Sequence, residues 1–387
     1  MQKLKNLVKR FIKKDGFIYK VIRKIYHILS SIKYRIVNGK KVKEQNKHYS
    51  EQVDLVVKKL EEYRDKDYIV FYNPTWLGVA NSTKGLFKNI VPLEQVFGKK
   101  NINKVAEAVV NNNIKSVIFS QIVDGWVDVL KKIKELNTEI KTKVIWHGNC
   151  YEFFSDYTWN LNKDVMNLYK EGKIDSFAFV RSTMYEFYKK VGFKSYYLQN
   201  NVHLDNIERV EKEKSDKIKI GIYNADTREL KNIYTALSSM KLVQNSVADV
   251  VPINEGAKKF TEILDLETTS VDDYIPTEEL LKRIQQNEVN VYPTFTENAP
   301  MFPLESFEMG VPCLLGNNND YFVGTKLGEY VILTKEDDPE YIKGRIINCI
   351  EHKDEIMKLY KEWKKEFDIK CNKLVEEFIK WKEKKNG

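Results

Sequence analysis

The sequence predicts an α/β chain with two doubly wound, Rossmann-like domains facing a cleft and a basic helical segment ahead of them. Three observations lead there. From about residue 50 onward, apolar runs of four to six residues alternate with helical patterns, as parallel strands covered on both faces require. The alternation pauses over 205–216, a charged stretch without apolar periodicity, and then restarts. A length of 387 residues favours two or three domains.

A further observation is the placement of charge. The net charge is +9, but residues 1–47 hold 15 Lys/Arg against Asp15 and Glu44, a surplus of +13 that leaves −4 for the rest. The body is therefore mildly acidic, which counts against a nucleic-acid-binding core. Within the basic segment Leu4, Leu7 and Phe11, and after Asp15-Gly16 also Ile18, Ile22, Ile25, Leu29 and Ile32, form an apolar stripe at helical spacing. A stripe of this kind flanked by Lys and Arg can lie in an anionic membrane surface, each basic residue contributing about 1 kcal/mol. Residues 1–40 are read as that anchor. The alternative is packing on the body or on a partner chain.

The elements follow in order. In the first domain, helical pattern covers 51–63, 83–97, 103–110, 126–136, 164–171 and 183–191. Apolar runs at 68–72, 116–119, 143–146, 176–180 and 195–198 read as strands. In the second domain, strands are expected at 218–223, 247–253, 289–292 and 312–315, with helices at 229–240, 277–286, 303–309 and 340–351 and a long helical stretch over 355–384. The expected organisation is a basic segment over 1–47, a first domain over 48–204 and a linker over 205–216. A second domain over 217–365 and a terminal helix over 366–387 complete it.

Several chemistries have no motif. No GxGxxG or GxxxxGK[ST] follows the early strands, and there is no HExxH, EF-hand or GxSxG. Cys150, Cys313, Cys349 and Cys371 are widely separated, which suits a reducing compartment and neither a disulfide framework nor a zinc site. No apolar run reaches transmembrane length, and the lysine-rich start does not read as a secretory signal.

The segment 289–322 carries the functional signal. It reads as strand, polar turn, short helix and a second strand opened by Gly310-Val311-Pro312. Glu297 and Glu305 stand around the start of that helix, at the carboxyl end of a strand, where open α/β sheets bind ligands and helix N-termini favour anions.

With the Glu297-x7-Glu305 spacing, this segment resembles the C-terminal domain of retaining, family 4-like GT-B glycosyltransferases (glycosyl transferases group 1). Three further segments agree in order. The strand at 218–223 followed by 224–231 is similar to the family's first strand and phosphate loop, with Lys231 at the diphosphate-contacting lysine. Leu198-Gln-Asn-Asn-Val-His203 is similar to the element that ends the first domain, and Lys143-Val-Ile-Trp-His-Gly148 to a strand followed by His-Gly. The family's arginine, five residues before the lysine, is Asp226 here, and Arg228 is the nearest substitute.

The resemblance implies a site. Lys231 and Arg228 would neutralise a departing diphosphate, and the main chain of Asn298, Ala299, Pro300, Met301 and Phe302 would face the phosphates and sugar. Glu305 would bind ribose hydroxyls, Glu297 the donor sugar, and His147 would meet the donor from the first domain. Gly78 and Asn81 fall in an expected acceptor-side loop, 75–85. Glu297 also reads as a capping or solvated acid, Glu305 as an exposed helix residue, and Lys231 as surface charge. The implied activity is retaining transfer of a hexose-type sugar from a nucleotide-sugar, without metal or other cofactor, to a glycan, lipid-linked or protein acceptor. Its setting would be the cytoplasmic face of the membrane, in envelope polysaccharide assembly. A non-catalytic subunit of this fold that binds a glycan or partner, and a sugar-nucleotide epimerase, remain alternatives. No nucleic-acid partner is expected.

Overall fold

The computed structural model describes residues 39–204, 207–223 and 228–380. Most of the basic segment, and Asp226, lie outside them. The first sheet comprises β1 (Ile69–Tyr72), β2 (Ile90–Pro92), β3 (Ser116–Ser120), β4 (Lys141–Trp146), β5 (Ser176–Phe179) and β6 (Ser195–Tyr197). The order is β2-β1-β3-β4-β5-β6, parallel throughout. The second sheet comprises β7 (Ile218–Ile222), β8 (Ser246–Val250), β9 (Thr268–Ser270), β10 (Val289–Tyr292), β11 (Cys313–Gly316) and β12 (Ile332–Leu333). It is also parallel, in the order β12-β11-β10-β7-β8-β9. Counted from β7 this is the 3-2-1-4-5-6 order of dinucleotide-binding sheets, with its switch point between β7 and β10.

The strand residues sort by side. Ile69, Phe71, Val117, Phe119, Val144, Trp146, Phe177 and Phe179 enter one core. Their alternates Val70, Ile118, Ile145 and Ala178 belong to a second core that runs on into the other domain. A strand's period of two therefore gives the first sheet two buried faces, one of them the domain interface. Each fully buried large apolar side chain contributes about 1.5–3 kcal/mol.

Two helices tie the ends of the described region to this frame. Helix α1 (Gly39–Glu61) buries Val53, Val56 and Leu60 in the first core, and His48 Nε2 lies 3.0 Å from Glu94 Oε2. The helices that follow are α2 (Leu77–Leu86), α3 (Lys99–Asn111), α4 (Trp126–Leu136), α5 (Asp156–Lys170) and α6 (Ser182–Lys190) in the first domain. The second domain has α7 (Ile233–Lys241), α8 (Glu255–Ile263), α9 (Thr277–Ile284), α10 (Met301–Glu308), α11 (Lys326–Val331), α12 (Pro339–Glu351) and α13 (Lys353–Ile379). Helix α13 runs unbroken past residue 365 and returns to the first domain. There Phe378 meets Tyr196 at 5.5 Å between ring centroids, and Lys143 Nζ donates to the Phe378 carbonyl at 2.7 Å. A lysine at a helix C-terminus complements the macrodipole, and burial lowers its pKa to about 8.

The structure corrects several expectations. The loop expected at 75–85, with Gly78 and Asn81, is helix α2, and the helix expected over 83–97 is the end of α2 followed by edge strand β2. The cause is local. Asn73 Oδ1 accepts from Thr75 N at 2.9 Å and Thr75 Oγ1 at 2.7 Å, an Asx turn that leads the chain into α2. Gly78 and Gly85 sit inside the helix. A side chain at Gly85 would strike the Asn201 carbonyl, whereas Gly78 has open space around it. The single helix expected over 229–240 is a short turn, Glu229–Lys231, then Asn232 at φ 54° and helix α7. The segment 255–270, without an assigned element in the sequence reading, holds α8 and β9, and α11 and β12 were likewise unassigned.

Candidate active site

The short turn Glu229–Lys231 follows β7 and the loop 293–300 follows β10, so the switch point brings Lys231 and Glu297 together. Lys231 Nζ donates to Glu297 Oε1 at 2.5 Å and to Tyr292 OH at 2.9 Å, and Tyr292 OH donates to Glu297 Oε1 at 2.7 Å. The ammonium also lies 5.2 Å from the centre of the Tyr292 ring. Both charged side chains are largely withdrawn from water, at 7% and 14% exposed. A lysine and a glutamate this dry hold one another in fixed positions, and an entering anion would meet a cation with little water to screen it.

Arg228, at the start of the same turn, is exposed. Its charge and that of Lys231 both act on Glu152 across the cleft. Asn298 and Ala299 are buried, with Asn298 Oδ1 lacking a hydrogen-bond partner among the described residues. Pro300 opens helix α10 without a side-chain cap. Met301 and Phe302 form its first turn, and the Phe302 ring packs 5.5 Å from both Tyr223 and Tyr292.

Glu305 lies one turn further along α10 and is 8% exposed. Its pKa rises to about 7, because burial outweighs a hydrogen bond from Asn81 of the first domain. Beside it opens a cavity of about 490 Å³ lined in part by Asn81, Lys84, His203, Thr277, Leu281 and Glu305. Glu305 thus faces a chamber between the domains, while Glu297 faces Lys231.

His147 follows β4. Its Nε2 is 3.0 Å from Ser120 Oγ, its main-chain N–H donates to Gln121 Oε1 at 2.9 Å, and burial lowers its pKa to about 4. The imidazole is neutral at pH 7 and serves as a hydrogen-bonding group without charge.

The loop that carries Glu297 is held from the first domain by residues the sequence reading did not single out. Arg181 Nη1 donates to the carbonyls of Glu297 and Asn318. Asn149 Nδ2 donates to Thr296 Oγ1 at 3.0 Å and Asn200 Nδ2 to the Ala299 carbonyl at 2.7 Å. Asp320 accepts from Ser182 N at 2.6 Å, Ser182 Oγ at 2.7 Å and Tyr197 OH at 2.8 Å. Arg181 stands directly after the apolar run of β5, so its place at the carboxyl end of a strand was the available signal. Nothing in the sequence pairs it with residue 297. Among the described residues no cluster of three or more His, Cys, Asp or Glu could hold a metal ion, and no helix is long and apolar enough to cross a membrane.

No protein-family model matches the chain, and no curated protein matches it. Solved structures do. The chain is similar to HepE from Anabaena in complex with UDP-glucose, at 9% identity and a TM-score of 0.59 over 81% of this chain and 98% of that one. A glycosyltransferase from Rickettsia africae matches at 10% identity and 0.54 over 81% and 96%. Sucrose-phosphate synthase from Thermosynechococcus elongatus matches at 14% and 0.52 over 75% and 80%. The class these likenesses define is one of fold: two parallel six-stranded sheets in the GT-B arrangement of glycosyltransferases.

Proposed function

We propose that the chain is a retaining glycosyltransferase that moves a sugar from a nucleotide-sugar donor to a membrane-associated or cell-envelope glycan acceptor. The observation that carries the reading is the meeting of Lys231, Glu297 and Tyr292 at the switch point between β7 and β10. A diphosphate leaving group develops negative charge as the anomeric bond breaks, and a fixed, poorly solvated cation stabilises that charge without reorganising. Lys231 supplies it as a point charge, and Arg228 adds a planar fork at the rim. Glu305 accepts from the ribose hydroxyls in the adjacent chamber, and Glu297 and neutral His147 hydrogen-bond the donor sugar from opposite domains. The uncapped start of α10 offers the main-chain N–H groups of Asn298, Ala299, Met301 and Phe302 to the phosphates, with Pro300 contributing none.

The fold's occurrence in HepE bound to UDP-glucose supports a nucleotide-sugar donor. The E-x7-E resemblance supports family 4-like, retaining chemistry in which the two cations do the work a metal does elsewhere. The basic residues of 1–40 support docking on the anionic cytoplasmic face of the membrane, where a lipid-linked or envelope glycan is presented.

Glu305→Ala and Lys231→Ala test the site. Both are expected to lose transfer and to weaken donor binding, with circular dichroism showing a folded chain. Unchanged turnover in both variants would sink the assignment. Nucleotide binding without turnover would favour a non-catalytic subunit. Donor turnover without an acceptor, giving an altered sugar-nucleotide, would favour the epimerase.

A further inference from the structure

Glu152 faces the Lys231–Glu297 pair from the opposite domain. It sits in a single turn of helix, Cys150–Phe154, directly after β4 and His147-Gly148. Asn149 caps the start of that turn and ties it across the cleft. Its Oδ1 accepts from Tyr151 N at 2.9 Å, and its Nδ2 donates to Thr296, the neighbour of Glu297. The carboxylate lies over Gly148, where an added Cβ would come within 2.7 Å of Glu152 Oε2 and 3.0 Å of Trp146 Nε1. That indole N–H is buried and has no hydrogen-bond partner among the described residues.

Glu152 is half-buried, and among the described residues no hydrogen bond or ion pair satisfies its carboxylate. The groups that act on it are Arg228 and Lys231, which favour its anion, and Glu297, which opposes it; burial is the strongest influence and raises its pKa. His147 nearby in the chain is neutral at pH 7. Groups whose titration is shifted by burial and by charges across a cleft concentrate where chemistry is done.

We propose that Glu152 is a catalytic residue of the acceptor side, accepting the hydrogen bond of the attacking hydroxyl and taking its proton as the new glycosidic bond forms. This rests on the donor reading given above. In the step, the acceptor O–H bond breaks and that oxygen forms a bond to the anomeric carbon. The bond from that carbon to the diphosphate breaks, and the diphosphate keeps the electron pair, held by Lys231 and Arg228. The proton on Glu152 then passes to solvent. The two cations that receive the leaving group also act on Glu152 and favour its anion. A raised pKa makes Glu152 a stronger base than a solvated glutamate.

The test uses the full chain with a panel of UDP-, GDP-, ADP- and CMP-sugars, following donor turnover to water or added glycan. Glu152→Gln should bind nucleoside diphosphate as the wild type does and melt at the same temperature. Its turnover should fall by about 10²–10⁴-fold, the range for one acid–base group, with loss of the acid limb of the pH–rate profile. In Glu152→Ala, added formate should restore part of the rate. Wild-type turnover in Glu152→Gln with the acid limb intact overturns this inference and leaves the donor assignment standing, as does a Glu152→Ala rate indifferent to formate. A wild-type chain that binds and turns over none of the panel overturns both.

Discussion

The guanidinium of Arg181, in the first domain, donates to the main-chain oxygen of Glu297, in the second. The same nitrogen donates to the Asn318 carbonyl, so one cation joins two loops of the donor-side domain to the end of β5. The position of Glu297 therefore depends on the other domain. Arg181→Ala should weaken binding of a nucleotide-sugar by about 10–100-fold, since a charge-assisted hydrogen bond is worth about 1.5–3 kcal/mol. Arg181→Lys should recover part of the loss. Titration calorimetry would show it; unchanged affinity in Arg181→Ala would remove the strut from the account.

The Lys231–Glu297 pair should behave as a buried ion pair. Removing one partner strands a charge and costs about 3–5 kcal/mol, so Lys231→Ala should lower the melting temperature. Adding Glu297→Gln to Lys231→Ala should restore much of that stability without restoring activity. A double-mutant cycle by denaturant titration measures the coupling, and additivity of the two changes would contradict it.

Glu305 should make stability depend on pH. Its folded pKa of about 7 stands above the ~4.3 of an unfolded glutamate. Between those values the folded chain holds the extra proton, so stability is greatest below the lower value and falls as pH rises through about 7. The full effect is on the order of 4 kcal/mol at most. Glu305→Gln should flatten that part of the melting-temperature profile, and nucleotide affinity in the wild type should rise with pH across it as the carboxylate forms. A profile unchanged by Glu305→Gln would show that this carboxyl does not titrate there.

A buried network behind the site should set the stability of the second domain. Asp249 is fully buried and accepts from Arg283 Nε at 2.7 Å and Thr269 Oγ1 at 2.9 Å, and also from Tyr223 OH. Asn287 extends the network from Tyr223 to Asn290, which donates to Ser306 Oγ at 2.7 Å, next to Glu305. Asp249→Ala would strand Arg283 and should cost about 3–5 kcal/mol, read as a lowered midpoint in urea. A loss under 1 kcal/mol would contradict this.

Much of this architecture was legible from the chain because parallel strands buried on both faces must read as short apolar runs. The runs at 116–119, 176–180 and 289–292 lie within a residue of β3, β5 and β10. Glu297 was legible as a candidate because it follows the carboxyl end of a strand, and Lys231 through the family resemblance; the adjacency of β7 and β10 brings them together. The misses have physical causes as well. β2 and β12 are edge strands of three and two residues, too short to carry periodicity. Helix α2 contains two glycines, one of which packs on the Asn201 carbonyl, a tertiary contact that no local rule contains. Glu152, Arg181 and Asp320 act across the cleft between domains, and such pairings have no fixed spacing in sequence.

A nucleotide-sugar is expected to bind across the Lys231–Glu297 pair and the neighbouring chamber that Glu305 faces. A ligand that binds only the folded chain stabilises it, by about 2.7 kcal/mol at a hundredfold excess over Kd. Melting the wild type and Glu305→Ala against a panel of nucleoside diphosphates and their sugars tests this most directly. At least one member should raise the wild-type melting temperature in a concentration-dependent way, and Glu305→Ala should lose the effect. A wild type indifferent to the whole panel, or a shift that survives in Glu305→Ala, would contradict it.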